Sequence, residues 1–406
     1  MRQTSDADAE YRVLTTPTGV SLLEQVRAVV SPRPADLERW RRLAEPELVT
    51  AALRLATNRN RGKAKFSRAE RMWFEPVGLE QSTAEPVARH KARRFADSKV
   101  LDLCCGIGGD TLALGEVARV VAVDADQGMC RRTRWNAEAY EVAEHVEVVQ
   151  ARAERIAVPA RWHVHIDPDR RQVGPQRSRE LAGYVPGFDY LRTLRGQVRG
   201  GAIKLGPASD FLEHFGTPDW ELEVISLEGE CKEVTAWFGD RMLVSGSRRA
   251  TRLPEGATWT DQDGPQNPYL SVPVSSPDTW VYDPDPALRR AGLLESFATA
   301  HGLTRCAPGN DFLTGPDWVD SPFLAGFKTM EILPLDLKTL RRLVTARQLG
   351  PLEIKTKGLD LRPEAVRAQL KPRGSHPATL LLMGGPGPAI AVLAQREKDA
   401  SRSTRP

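Results

Sequence analysis

Val100-Leu-Asp-Leu-Cys-Cys-Gly-Ile-Gly-Gly-Asp-Thr111 passes from apolar to glycine-rich to helix-forming residues within twelve positions. The apolar run ending at Cys104 reads as a short buried strand, Gly106 to Gly109 as a turn, and Asp110 onward as the start of a helix. Glycines where a strand turns into a helix let a ligand approach the backbone that a Cβ would block. Gly106, Gly108 and Gly109 are spaced too tightly for the dinucleotide fingerprint. Farther along, 117–123 reads as a second strand ending at Asp124, 126–140 as a helix, 146–149 as a third strand and 163–166 as a fourth. Strands and helices alternating at this spacing predict an α/β fold, a doubly wound, mostly parallel sheet with helices on both faces.

On the N-terminal side, Val13, Leu22, Leu23 and Val26, then Leu37, Trp40 and Leu43, fall at helical spacing between prolines. They predict a helical cap over residues 1–95, with Thr83 as an N-cap and Pro86 in the first turn of a helix reaching Phe95. On the other side, 201–205 and 222–227 continue the sheet, and 233–238 with 241–245 read as a hairpin around Gly239-Asp240. Residues 246–280, rich in Pro, Gly, Asp and Ser, read as a long loop or linker. The expected organisation is a cap over 1–95, the α/β domain over 96–275, a small α+β module over 276–394, and a disordered tail over 395–406.

The chain has 406 residues, 41% hydrophobic and 27% charged, enough for two or three domains with their own cores. Five cysteines, an odd number without a C-x-x-C spacing, oppose a disulfide framework and a zinc site, so no metal is expected. No apolar run approaches the roughly 18–20 residues that span a bilayer, and the first residues are polar and acidic, so a cytoplasmic protein is expected. The net charge of +4 conceals clusters. Seven cations against Glu70 alone lie within 54–71, and ten against Glu353, Asp360 and Glu364 lie within 338–373. Solvated helix faces explain such clusters, and so does binding to a phosphate backbone.

Two acids define the expected ligand. Asp102, at the strand end beside the glycines, suits an ammonium group better than a pyrophosphate. Asp124, about 20 residues on, is placed to accept both hydroxyls of a ribose. A nucleoside carrying an amino acid meets both conditions, and S-adenosylmethionine is such a molecule, with Ala125 and Met129 beside its adenine.

Asp102 to Thr111, together with Val121-Ala-Val-Asp-Ala-Asp126, resembles the first two motifs of class I S-adenosylmethionine-dependent methyltransferases. Asn136-Ala-Glu-Ala-Tyr140 resembles the helix that follows. Phe74 to His90 is similar to the pre-motif stretch of the trimethylguanosine synthase-like branch, where a polar turn and helix cover the methionine end of the cofactor. The resemblance spans residues 70–170 and implies cofactor contacts at Thr83, Asp102, Cys104, Gly106, Gly108, Asp124 and Ala125. Arg152 occupies the place of the acid that often holds the adenine amino group; arginine has no acceptor, so Glu154 is expected to substitute by a register shift, or a backbone carbonyl to serve.

His165-Ile-Asp-Pro-Asp-Arg-Arg171 resembles the motif with which amino-methyltransferases orient the target amine. Asp167 and Pro168 match it and are the expected catalytic positions. Asp169 stands in place of a second proline, and Arg170 in place of an aromatic residue. Arg170 and Arg171 are expected to stack on a base or bind a phosphate. Lys204, ending an apolar strand, is a further candidate for the substrate cleft, with a surface position as the alternative. Leu352 to Leu359, Arg362 to Val366 and Pro377 to Leu381 resemble the THUMP-like domain of bacterial methyltransferases, which implies an RNA substrate. The expected activity is therefore S-adenosylmethionine-dependent methylation of RNA, most simply on a base. A non-catalytic RNA-binding protein that keeps a cofactor pocket and a methyltransferase of a small metabolite remain the alternatives.

Overall fold

The computed structural model describes residues 2–29, 31–169, 183–267 and 269–397. Arg170 and Arg171 lie outside the described residues. The chain forms two compact units, one of 1–221 with 233–246 and one of 222–232 with 247–406. The boundary expected near 275 thus falls inside the second unit.

The first unit opens with α1 (Arg2–Thr15), α2 (Pro17–Arg27), α3 (Pro34–Leu43), α4 (Pro46–Gly62), α5 (Pro76–Gln81) and α6 (Glu85–Ala92). Four of these begin on proline, whose fixed φ suits the first helical position and whose missing N–H is no loss there. Val13, Leu22, Leu23, Val26, Trp40, Leu48 and Leu55 close a common core among the first four helices. Ala84, not Thr83, occupies the N-cap position of α6. The Thr83 hydroxyl is drawn away to Asp110.

The sheet follows with β1 (Lys99–Leu103), α7 (Gly109–Gly115), β2 (Arg119–Asp124), α8 (Gln127–Ala139), β3 (Val146–Gln150), β4 (His163–Ile166), α9 (Phe188–Gln197), β5 (Gly200–Leu205), α10 (Phe211–Phe215), β6 (Glu221–Leu227) and β7 (Glu230–Gly239). Within this unit the strand order is β3-β2-β1-β4-β5-β7, parallel except for β7 against β5. Val100, Val120, Ala122 and Ala202 pack with Ala88, Ala92, Phe95 and Trp237 in its core. The order reverses beside β1, which opens a crevice at the carboxyl ends of β1, β2 and β4. The predicted doubly wound sheet is therefore present.

Two local expectations are corrected. The hairpin turn lies at Glu228-Gly229, where both residues have positive φ, 54° and 82°, as a tight two-residue turn requires. At Gly239-Asp240 the strand ends and 241–245 forms no strand. Gly239 is needed there for close approach, since a Cβ would stand 2.3 Å from the Arg199 carbonyl oxygen. The supposed linker 246–280 contains β8 (Arg248–Leu253) and β9 (Ala257–Thr260). β8 is poor in apolar residues, yet Thr251 is fully buried with its hydroxyl on the Glu223 carboxylate, a pairing invisible to a hydropathy pattern.

The second unit continues with β10 (Trp280–Pro284), α11 (Pro286–Arg290), α12 (Leu294–Ala300), β11 (Thr304–Arg305), β12 (Leu313–Gly315), β13 (Leu324–Pro334), α13 (Leu337–Ala346), β14 (Leu349–Lys357), α14 (Pro363–Leu370), β15 (His376–Met383) and β16 (Ile390–Arg396). Its seven-stranded sheet has the order β11-β12-β10-β13-β16-β15-β14. Leu340 and Val344 of α13 and Val366 and Leu370 of α14 bury against Leu352, Leu380 and Leu393, so both helices cover the same core.

Candidate active site

A cleft of about 570 Å³ lies in the first unit, lined by the ends of β1, β2 and β4, the glycine turn and residues 75–83. Thr83, Asp102, Cys104, Gly106, Asp124, Ala125, Glu154, Asp167 and Pro168 all line it. Gly108 is the left-handed N-cap of α7, with φ 91°. Lys204 does not line the cleft; it lies behind Asp167 and is 4% exposed, which excludes the surface position.

Asp124 ends β2 with both carboxylate oxygens turned back on the loops. Oδ2 accepts the Gly106 N–H at 2.8 Å and Oδ1 the Asp126 N–H at 2.9 Å. Burial raises its carboxyl above the ordinary value, against the lowering effect of these two donors. Each oxygen keeps acceptor capacity for a hydroxyl. Gly106 has φ 57°, a left-handed backbone that favours glycine, and its Cα faces open space in the cleft.

Asp102 is engaged inside the protein. One oxygen accepts the Thr111 hydroxyl and the other pairs with His165 Nδ1 at 2.7 Å, a partner set by the register of β1 and β4. His165 Nε2 lies 3.4 Å from Lys91 Nζ, and Lys91 also reaches Asp110 and Glu233, each at 2.8 Å. Burial disfavours this ammonium, but the two carboxylates hold it well above the usual lysine range. Asp110 in turn receives the Thr83 hydroxyl at 2.6 Å, tying the cap to the glycine turn.

A second lysine shapes the rim. Lys65 Nζ donates to the carbonyls of Leu79, Glu80 and Ser82 at 2.8, 2.8 and 2.7 Å, satisfying the C-terminus of α5. Across the cleft, Asp169 and Val185 exchange two backbone hydrogen bonds of 2.9 Å. They bring Val185, half exposed, and Pro186 to the wall beside Pro168. Tyr184 anchors this segment, its hydroxyl bonding Ser209 at 2.6 Å and accepting the Gly206 N–H at 3.0 Å. Arg152 and Glu154 both line the cleft and stand 3.9 Å apart. Burial raises the Cys104 thiol, which keeps it protonated rather than nucleophilic.

Sequence reasoning did not foresee that Lys91, His165 and Glu233 come together in one buried network. Lys91 carried a signal, because it falls on the stripe of Val87, Ala88, Ala92 and Phe95, where an unpaired ammonium is not tolerated. His165 needed the adjacency of β1 and β4 before its partner Asp102 was evident.

Residues 100–166 match the family described as methyltransferase domain, and residues 324–396 the one described as THUMP domain-like. Two strains of Mycobacterium tuberculosis, CDC 1551 / Oshkosh and ATCC 25618 / H37Rv, each have a protein described as an uncharacterised S-adenosylmethionine-dependent methyltransferase. Each is 34% identical over 313 residues, which cover 76% of this chain and 84% of the relative. The chain belongs to the S-adenosylmethionine-dependent methyltransferases. This methyltransferase also shares its fold with a Porphyromonas gingivalis W83 protein described provisionally as a methyltransferase. The TM-score is 0.73 at 20% identity, covering 93% of this chain and 98% of the other. Its cofactor is S-adenosylmethionine, and the cleft volume suits a molecule of that size. Among the described residues of the methyltransferase, no group of His, Cys, Asp or Glu is arranged to hold a metal, and no helix is long and apolar enough to cross a membrane.

Proposed function

We propose that this methyltransferase acts on RNA in the cytoplasm, most simply on a base. The observation that carries the reading is a set of cations in the second unit. Arg341, Arg342, Arg362, Arg367, Lys371 and Arg373 are exposed and have no acidic partner among the described residues, whereas Lys338 sits beside Asp336. Of the other cations in the cluster, Arg347 pairs with Glu331, and Lys355 and Lys357 pair with Asp283. The uncompensated ones belong to α13, α14 and their flanks, two helices that cover one core and so present neighbouring outer faces. Cations left without acids attract phosphates. The THUMP domain-like match covers the same residues and supports RNA as the polyanion.

Asp124 would hold the ribose of the cofactor, with Gly106, Gly108, Cys104, Thr83 and Asp102 shaping the turn around its amino-acid part and Ala125 and Glu154 facing the adenine. S-adenosylmethionine supplies a methyl group on a positively charged sulfur, which departs as a neutral thioether. The protein therefore has to align rather than activate. Asp167 Oδ2 is held by Lys204, and Oδ1 has no partner among the described residues. Oδ1 is placed to accept the N–H or O–H of the acceptor and to take its proton as the acceptor's lone pair turns to the methyl group. Val185 and Pro186 with Pro168 give the acceptor an apolar wall.

Asp124→Ala is expected to weaken S-adenosylhomocysteine binding by about 10- to 100-fold, the worth of hydrogen bonds to a charged group. Titration calorimetry would measure it, and an unchanged affinity would remove Asp124 from the ribose site. Arg341→Gln/Arg342→Gln/Arg367→Gln is expected to reduce the slope of log affinity against log salt for total bacterial RNA by about 2–3. Filter binding at several salt concentrations reads that slope, and a slope equal to wild type would separate the basic face from RNA. The decisive experiment is transfer of radiolabelled methyl to total bacterial RNA in parallel with a metabolite extract. Label in RNA supports the reading; label only in the metabolites refutes it.

A further inference from the structure

Lys204 is 4% exposed at the end of β5, beside the loop that leaves β4. A cation that deep persists only when its donors are satisfied. Its Nζ donates to Asp167 Oδ2 at 2.6 Å and to the Gln81 carbonyl at 3.3 Å. Gln81 makes a second link, its amide nitrogen lying 3.4 Å from Asp169 Oδ1. Gln81 also ends α5, and the residues that follow it, Ser82 and Thr83, line the cofactor cleft. One ammonium therefore fixes both the carboxylate at the acceptor end and the segment that borders the cofactor.

We propose that Lys204 is a positioning residue for methyl transfer: it pins one oxygen of Asp167 so that the other faces the acceptor beside the rim set by Gln81. The proposal rests on the reading of Asp167 as the acceptor contact. The side chain of Asp167 is 25% exposed, so without Lys204 it turns toward water and the Oδ1 direction is lost. A misplacement of about 1 Å at a reacting pair costs on the order of 100-fold in rate. The aligned acceptor is one that presents a neutral N–H or O–H. In the transfer its lone pair forms the bond to the methyl carbon, the electrons of the broken carbon–sulfur bond stay on sulfur, and its proton passes to Asp167 Oδ1.

The test uses full-length wild type, Lys204→Met, Lys204→Arg, Asp167→Asn and the double variant Lys204→Met/Asp167→Asn. Labelled methyl transfer to total bacterial RNA and to a metabolite extract gives kcat and KM, and calorimetry gives S-adenosylhomocysteine affinity. Lys204→Met is expected to lose about 100-fold in kcat with little change in KM. Cofactor affinity is expected to stay within about threefold, because Lys65 still holds the neighbouring carbonyls. Lys204→Arg should recover part of the rate. The double variant should be no slower than Asp167→Asn alone, since Lys204 acts through Asp167. Losses that multiply in the double variant, or no recovery with arginine, would overturn the proposal. Activity confined to the metabolite extract would refute the RNA reading while leaving the same cycle to be read on that pool. Label in neither pool would overturn the positioning role together with the catalytic reading.

Discussion

Asp167→Ala is expected to lower methyl transfer by about a thousandfold while leaving S-adenosylhomocysteine affinity within a few-fold of wild type. The expectation follows from where the carboxylate sits. Its backbone N–H bonds to the Leu103 carbonyl at 3.2 Å, and this ties the end of β4 to β1 whatever the side chain is. The glycine turn and Asp124 keep their own hydrogen bonds, so the cofactor end is untouched. What the alanine removes is the oxygen proposed to accept the nucleophile's hydrogen and the counter-charge for buried Lys204. Asp167→Asn separates the two effects, because it keeps a polar partner for Lys204 but loses the carboxylate. Single-turnover transfer at saturating cofactor is the measurement. A rate within tenfold of wild type would show that alignment comes from elsewhere in the cleft.

Lys91→Met is expected to destabilise the first unit by about 3–5 kcal/mol, because it leaves buried carboxylates without their cation. Lys91 is enclosed between Asp110 and Glu233, with His165 and Asp102 behind, and its side chain is 2% exposed. Burial works against ionisation of Asp110, yet Lys91 and His165 hold its carboxyl well below the usual range. Methionine fills most of the lysine's volume, so the loss is electrostatic rather than a cavity. A fall in melting temperature of about 10 °C is the expected reading by calorimetry. The second change Glu233→Gln in the same chain should return part of it, since one of the stranded charges is then gone. A melting temperature equal to wild type would mean that the cluster contributes nothing to holding α6 against the sheet.

The parallel strands and the glycine turn were legible because each rested on a local pattern. Apolar runs of four to six residues marked the parallel strands, and the glycines with Asp124 marked the turn that lines the cleft. The polar interior was not legible in that way. Asp102 read as a carboxylate for an ammonium group, with no sign that Thr111 and His165 each bond one of its oxygens. That pairing depends on which strand lies next to β1, a fact of topology rather than composition. Lys204 is a similar case: its apolar flanks suggested a buried strand, but the lateral neighbour Asp167 and the Gln81 carbonyl, which help the charge to be tolerated, come from other parts of the chain. The hairpin at Glu228-Gly229 was missed for a different reason. Gly239-Asp240 offered an equally good turn signal, and the need for glycine there came from the close passage of Arg199 and Gly200.

The route of the chain between the two units limits how this protein exchanges parts with others. Residues 222–232 belong with the second unit, 233–246 return to the first, and 247 onward belong to the second again. The polypeptide therefore passes from one to the other three times. A single recombination point cannot transplant either unit whole. One placed at 246 carries away the β6 segment that pairs with β8, while one placed at 221 strips the sheet of β7 together with Glu233, the partner of Lys91. A single crossover therefore cannot exchange the distal module for another while leaving the unit that carries the cleft complete.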